Sequence, residues 1–373
     1  MGVNVGDVRR EFPVTRDVVF LDIANHSPPS VSVREAIRSY LADWDRLQRR
    51  GDERVDEAIG SFSCLIGAAP DEVAFQPNTS TGLTAVAESL GLRKGTNVVV
   101  NDLENPANVY PWLSQRRRGA DVRIVRGIHG AVPLEDVEAA VDDGTKALAI
   151  SHVEWLTGAR NDLRRLAEIA HDHGAHLVVD GIQAAGALDV DVKRDGVDFY
   201  ACGSYKWLLG PSGAGFLYVR DELIDSIEPP FYGYRGVERH SLDEPKLKGS
   251  AKRFELGEPS YLSFVGTKAG IDTILRLGPK DIEDRVLALS KLLYDRLIDA
   301  GVEVVSPGAK ELRSGIVSFA ARGVEGLFKE LVSERFMVSL RSAGIRVSTG
   351  FYNTEDEIER FAEHVKRNLH GHL

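Results

Sequence analysis

The fold is decided by residues 176–219, HLVVDGIQAAGALDVDVKRDGVDFYACGSYKWLLGPSGAGFLYV. Three apolar runs stand out: 176-HLVVD-180, 198-DFYACG-203 and 214-AGFLYV-219. Their nearly continuous apolar character predicts strands buried on both faces, as in a mostly parallel sheet with helices on either side. The first run ends in Asp180. A carboxylate at the C-terminal end of such a strand lies where open α/β sheets bind ligands, although many aspartates there only cap the following helix. Lys206 follows the second run after a Gly-Ser-Tyr turn and precedes Trp207 and two leucines. An amine set in apolar sequence is either a partly buried nucleophile of lowered pKa or a snorkelling lysine at an edge.

Working outward, the same alternation extends over about residues 55–240. Strands are predicted at 97-NVVVND-102, 122-VRIVR-126 and 147-ALAISH-152, and helices at 109–119, 134–143 and 163–173. The C-terminal part has another texture. Helices are predicted over 260–277 and 279–300, and strands at 302-VEVVS-306, 315-GIVSF-319, 337-MVSLR-341 and 345-IRVS-348. A last helix is predicted over 354–369, opened by a Thr354/Glu357 capping box. The expected division is a large α/β domain over 25–250 and a small α+β domain built from 1–24 and 251–373.

The bulk figures bound the partners. The formal net charge is -10, with 27% charged and 43% hydrophobic residues. An acidic surface disfavours nucleic acid and anionic membranes. Arg116, Arg117 and Arg118 form the longest basic run and read as a solvated helix end. Without an apolar leader or a membrane-length apolar run, the sequence reads as cytoplasmic. Its two cysteines, Cys64 and Cys202, have no metal-type spacing and are expected to be buried free thiols.

Asp180 and Lys206 at the ends of successive apolar strands resemble the class V aminotransferase family of fold-type I pyridoxal 5'-phosphate (PLP) enzymes. That family includes cysteine desulfurases, selenocysteine lyases and isopenicillin N epimerase-like proteins. The resemblance runs from 21-LDIANHSPPS-30 to 352-YNTEDEIERF-361 and is most specific over 173–219. It implies that Lys206 carries PLP as a Schiff base and that Asp180 bonds the pyridine nitrogen. Gln183 then faces the phenolic oxygen, and Ser204 and Tyr205 stand at the phosphate. In 77-PNTSTGLTAVAESL-90, Thr79, Ser80 and Thr81 match the phosphate loop, where hydroxyls and free N–H groups at a helix start hold an anion. The bland alternative there is an ordinary Ser/Thr cap. Arg346 matches the arginine that clamps a substrate carboxylate, with Arg341 a competitor. Asn25, His26 and Trp155 fall where the family approaches its substrate, and the resemblance implies a homodimer.

Three departures limit what the resemblance implies. The stretch 334-ERFMVSLRSAGIRVS-348 lacks the loop cysteine that desulfurases use. In 104-ENPANVYPW-112, Pro106 stands at the stacking histidine, leaving Tyr110 or Trp155 to supply stacking. Glu258 replaces a threonine that reaches the neighbouring subunit's phosphate, and a carboxylate there is expected to point away, with Ser260 a substitute. The expected function is PLP-dependent chemistry at Cα of an amino acid. Transamination is placed first, ahead of a C–S or β-elimination lyase and an epimerase. An inactive PLP-fold binding protein is the non-enzymatic alternative.

Overall fold

In the computed structural model, residues 4–44, 51–241 and 243–368 are described. The strands are β1 (Val19–Phe20), β2 (Val73–Gln76), β3 (Asn97–Asn101), β4 (Asp121–Val125), β5 (Thr145–Ser151), β6 (His176–Asp180), β7 (Phe199–Gly203) and β8 (Gly215–Val219), followed by β9 (Val237–Arg239), β10 (Lys246–Leu247), β11 (Glu303–Val304), β12 (Ile316–Ala320), β13 (Phe336–Met337), β14 (Ser339–Arg341) and β15 (Gly344–Ser348). Seven of them form one sheet in the order β2-β8-β7-β6-β5-β3-β4. The pairs from β4 through β7 are parallel, and β8 runs against both β7 and β2. This is the mostly parallel sheet expected from the apolar runs.

Strand geometry sends successive side chains to opposite faces, and both faces are covered. Val99, Leu148, Ile150, Val179, Tyr200 and Cys202 enter one apolar cluster. Their neighbours Val98, Val100, Ala147, Ala149, Val178, Phe199 and Ala201 enter another. The helix Leu163–Asp172 shows the matching helical period, burying Leu163, Leu166, Ala167, Ile169 and Ala170, and Asp162 caps it by accepting from the Arg165 N–H at 3.2 Å.

A four-stranded antiparallel sheet, β11-β12-β15-β14, lies toward the C-terminus. It packs with the helices Pro279–Asp299, Val324–Ser333 and Glu355–Asn368 around a third apolar cluster. The N-terminal segment joins this unit: β1 pairs in parallel with β13, and Arg9 bonds the Tyr352 carbonyl and pairs with Glu357. The capping box forms as read, with Glu357 N–H to Thr354 Oγ1 at 3.2 Å and Thr354 N–H to Glu357 Oε2 at 3.1 Å. The predicted end of that helix at position 369 lies outside the described residues.

Several expectations are corrected. Residues 109–119 do not form one helix. A short helix, Tyr110–Ser114, tightens into a 3-10 turn, Gln115–Arg118, and stops at Gly119, whose φ of 86° is left-handed. Arg117 and Arg118 there both pair with Glu88. The predicted strand 302–306 keeps only two residues, because Ser306 turns to accept from the Ser318 N–H at 2.7 Å. The run 337–341 splits at Val338 into ends of β13 and β14 with different partners. The short strand β2, not anticipated, closes one sheet edge. Cys202 is buried, but Cys64 is exposed on the outer face of the helix Gly51–Ile66.

Candidate active site

The C-terminal ends of β3, β5, β6 and β7 meet the start of the helix Thr79–Ser89 at a cavity of about 130 Å³. Asn78, Thr79, Ser80, Asn105, Ala107, Ser151, Trp155, Asp180, Ile182, Gln183, Tyr205 and Lys206 line it. The strand register places the floor: Ser151 is opposite Asp180, and Asp180 is opposite Ala201.

Asp180 is buried, and one carboxylate oxygen accepts from the Ile182 N–H at 3.0 Å. Among the described residues no other protein donor bonds this side chain. Burial pushes its pKa up to about 6, against the lowering effects of the Ile182 bond and the Lys206 charge. Burial moves Lys206 the other way, down to about 8; Asp180 opposes that shift and Arg346 reinforces it. The two groups therefore stabilise each other's charged forms in a site that disfavours both.

The Lys206 turn is held tightly. The Leu209 N–H donates to the Lys206 carbonyl at 3.0 Å and the Gly210 N–H to the Ser204 carbonyl at 2.9 Å. Leu209 itself sits at a φ of 63°, an uncommon state for a branched residue, maintained by a fully buried setting. After Asp180, Gly181 is needed for close approach: a Cβ there would stand 2.0 Å from the Tyr200 ring. Gln183 is fixed at both ends, accepting from Trp207 Nε1 and donating to the Ala24 carbonyl, each at 3.0 Å. Its second amide N–H remains for the cavity.

Thr79 is buried and accepts from the Gly203 N–H at 2.8 Å, so its own hydroxyl proton is available. Ser80 lies beside it at the helix start. Thr81, by contrast, is not brought to the cavity. Its N–H and hydroxyl both donate to Asn78 Oδ1, at 2.9 and 3.1 Å, as an ordinary N-cap. Ser204 is also turned away, bonded to the Pro211 and Ala214 carbonyls at 2.5 and 2.8 Å. Pro106 opens a 3-10 turn whose flanking residues, Asn105 and Ala107, line the cavity in its place. Tyr110 is 65% exposed, which leaves Trp155 as the aromatic of that pair at the site.

Arg346 lies behind the wall. It is 2% exposed, and its Nη1 donates to the Trp155 carbonyl at 3.0 Å. Its Nη2 is 3.8 Å from Asp22 Oδ1, and burial lowers its pKa to about 10. Arg341 is spent elsewhere, donating to Asn25 Oδ1 at 3.2 Å and to the Leu340 carbonyl. His26 packs its ring 4.7 Å from the Tyr205 ring. Glu258 accepts from the hydroxyls of Tyr234 and Tyr261, and Ser260 bonds Ser263. Sequence reading missed Asn78, Ser151 and Ile182. Asn78 was legible as the cap in 77-PNTST, but nothing in the apolar run 147-ALAISH marks Ser151.

The comparisons agree with this geometry. The Aminotransferase class-V family matches residues 19–361. The chain belongs to the class-V aminotransferase family. As such it is a PLP-dependent enzyme acting on an amino acid. Across 96% of both chains it is 32% identical to a probable cysteine desulfurase of Methanothermobacter thermautotrophicus, and across 96% of both it is 31% identical to an uncharacterised aminotransferase of Bacillus subtilis. The apo structure of a cysteine desulfurase from Thermococcus onnurineus superposes with a TM-score of 0.91 at 30% identity, over 100% of this chain and 99% of that one. The class-V site here fits PLP on its own donor set. A buried carboxylate with a single backbone bond suits a protonated ring nitrogen, and the Thr79–Ser80 helix start suits a phosphate. Among the described residues Trp155 Nε1 and Arg346 Nε are buried without a protein partner, as donors awaiting an anionic ligand would be. No helix among the described residues is long and apolar enough to cross a membrane.

Proposed function

We propose that this class-V enzyme is an aminotransferase whose chemistry does not use a persulfide-forming cysteine. The observation that carries this is the β14–β15 hairpin. Arg341 pairs with Gly344, so only Ser342 and Ala343 separate the strands. A two-residue turn has no room for a mobile loop, and no cysteine lies in it. The chain's two cysteines stand elsewhere, Cys64 on an exposed helix face and Cys202 within β7. Burial raises the Cys202 thiol well above its usual range and keeps it unreactive.

In this reading Lys206 Nζ would hold PLP covalently, with Asp180 at the ring nitrogen and Thr79, Ser80 and Tyr205 at the phosphate. Gln183 reaches the phenolic oxygen. Bound PLP supplies an electron sink for the pair released when Cα–H breaks. Lys206 Nζ would take the Cα proton; its lowered pKa suits a general base near neutral pH. Arg346 takes the substrate α-carboxylate through its free Nε edge, and Trp155 closes the wall beside it. Asn25 and His26 would act on the substrate side, a role supported for His26 by its packing on Tyr205. Loss of a β-substituent is the second reading, favoured by the cysteine desulfurase relatives; it needs the same base and clamp.

Of the division into a large domain, 25–250, and a small one, 1–24 with 251–373, the third apolar cluster supports a small unit drawn from Val19, Leu21 and residues between Leu289 and Val365, whereas Phe264, Ile271 and Ile274 of the helix Tyr261–Leu277 pack into the large sheet's cluster. A homodimer is supported by exposed Phe231, Tyr232, Tyr234 and Leu256, two of which border an apolar groove that shares Ser80 with the cavity. A cytoplasmic location is supported by two cysteines left as free thiols. The test is an amino-acid panel with product analysis. Keto acid with pyridoxamine phosphate supports transamination; pyruvate with a released leaving group assigns the lyase reading instead, and loss of Cα stereochemistry alone assigns an epimerase.

A further inference from the structure

Two glutamates that none of these steps uses lie buried directly behind the cavity. Glu104 sits in the loop after β3, and Glu154 in the turn after β5. One amide joins them: Asn101 Nδ2 donates to Glu104 Oε1 at 3.0 Å and to Glu154 Oε1 at 3.1 Å. Their surroundings otherwise differ. Glu104 accepts from the Ser151 N–H, from Ser151 Oγ at 2.6 Å and from Asn108 Nδ2 at 3.0 Å, so both its oxygens are surrounded by donors. Glu154 Oε1 also accepts from Asn161 Nδ2 at 3.0 Å, but its Oε2 is buried with no partner among the described residues. Among the described residues neither carboxyl is in an ion pair.

We propose that Glu104 and Glu154 are positioning residues for the cofactor cavity, Glu104 as a clamp held by donors on both oxygens and Glu154 as a neutral carboxylic acid held beside it. The donors decide the assignment. A carboxylate with four donors is well solvated by the protein, whereas an anionic oxygen buried without a donor is strongly disfavoured. Glu104 fastens the loop that carries Asn105 and Ala107 onto Ser151, and Ser151 is opposite Asp180 in the sheet. The clamp therefore links one cavity wall to the floor on which Asp180 stands. The groups acting on the pair come from each surrounding element. Burial, opposed by the Ser151 and Asn108 bonds and reinforced by the Asp180 charge, pushes the Glu104 pKa up to about 7, while Glu104, Asn161, Asn101 and Asp180 act on Glu154. Burial, and then the charge of Glu104, raise the Glu154 pKa well above the usual carboxylate range. By reciprocity, charge on either glutamate would raise the proton affinity of Asp180, and a neutral Glu154 limits that effect to Glu104.

The two glutamates then respond oppositely to the same conservative change. An acid whose folded pKa is raised contributes stability below its unfolded pKa and loses it as pH rises through the folded value. Glu154→Gln removes that loss, so the apo protein should melt about 2–4 °C higher at neutral pH and keep its stability further into alkali. Glu104→Gln places an N–H against donors, so it should lower the melting temperature and weaken PLP binding about tenfold. The experiment is a series of thermal melts from about pH 6 to about pH 9 on the wild type and both variants, with PLP affinity read from the absorbance of the bound cofactor. Opposite signs for the two variants, with weakened PLP binding in Glu104→Gln alone, support the proposal. A lower melting temperature for Glu154→Gln, or unchanged PLP affinity in Glu104→Gln, overturns it.

Discussion

Arg346 Nη1 donates to the carbonyl of Trp155 at 3.0 Å, across 191 residues of sequence. The bond fixes one edge of the guanidinium on a residue that itself lines the cavity, and leaves Nε free. Replacing Arg346 by lysine keeps the charge but loses the planar fork. The loss of a charged hydrogen bond is about 1.5–3 kcal/mol. Arg346→Lys should therefore raise KM roughly ten- to hundredfold, with a smaller effect on kcat. Steady-state kinetics check this, and a fall in kcat with KM unchanged would place Arg346 outside the carboxylate clamp.

The amine of Lys206 should govern how fast apo protein captures PLP. Only the neutral amine attacks a carbonyl. With the pKa lowered to about 8, the capture rate should rise with pH and level off above that value. Stopped-flow absorbance against pH measures it, with borohydride trapping to locate the adduct. Lys206→Ala should yield no trapped adduct and lower turnover by about 10²–10⁴. A midpoint near that of a free lysine would contradict the burial of this group.

Thr79 and Thr81 offer a matched comparison. Thr79→Val removes the acceptor of the buried Gly203 N–H, which costs about 1–3 kcal/mol, and should weaken PLP binding as well. Thr81→Val leaves the Asn78 cap to the backbone N–H and should change PLP affinity little. Equal losses in a PLP titration of the two variants would return Thr81 to the phosphate site.

Cysteine chemistry should be dispensable. Iodoacetamide should label Cys64 in the native protein and leave Cys202 untouched, because one is exposed and the other buried. Cys64→Ser should retain turnover. Mass spectrometry of the enzyme during reaction should find no persulfide on either sulfur, and detection of one would reopen desulfuration.

Legibility in the sequence followed periodicity and local chemistry. The strands β5, β6, β7 and β8 were readable because burial on both faces demands unbroken apolar runs, and Asp180 and Lys206 were readable because polar groups interrupt those runs. The edge strand β2 was not, since four residues carry too little pattern. The placements of Thr81 and Ser204 depended on which of several nearby acceptors each hydroxyl reaches, and neighbouring hydroxyls in a turn look alike in sequence. Glu104 and Glu154 were invisible as a pair because only the sheet brings β3 and β5 side by side.

Asp180 and Lys206 stand at the ends of neighbouring strands joined by one crossover, whereas Arg346 comes to the back of the cavity wall, at Trp155, from the distant C-terminal sheet. Chain closure over a short span precedes closure over a long one, and contacts of great separation are the slower to form. The lysine–aspartate pair should thus be in place on the nascent molecule while the arginine is still absent. Cofactor capture then becomes an event of assembly, available before the protein can recognise any amino acid.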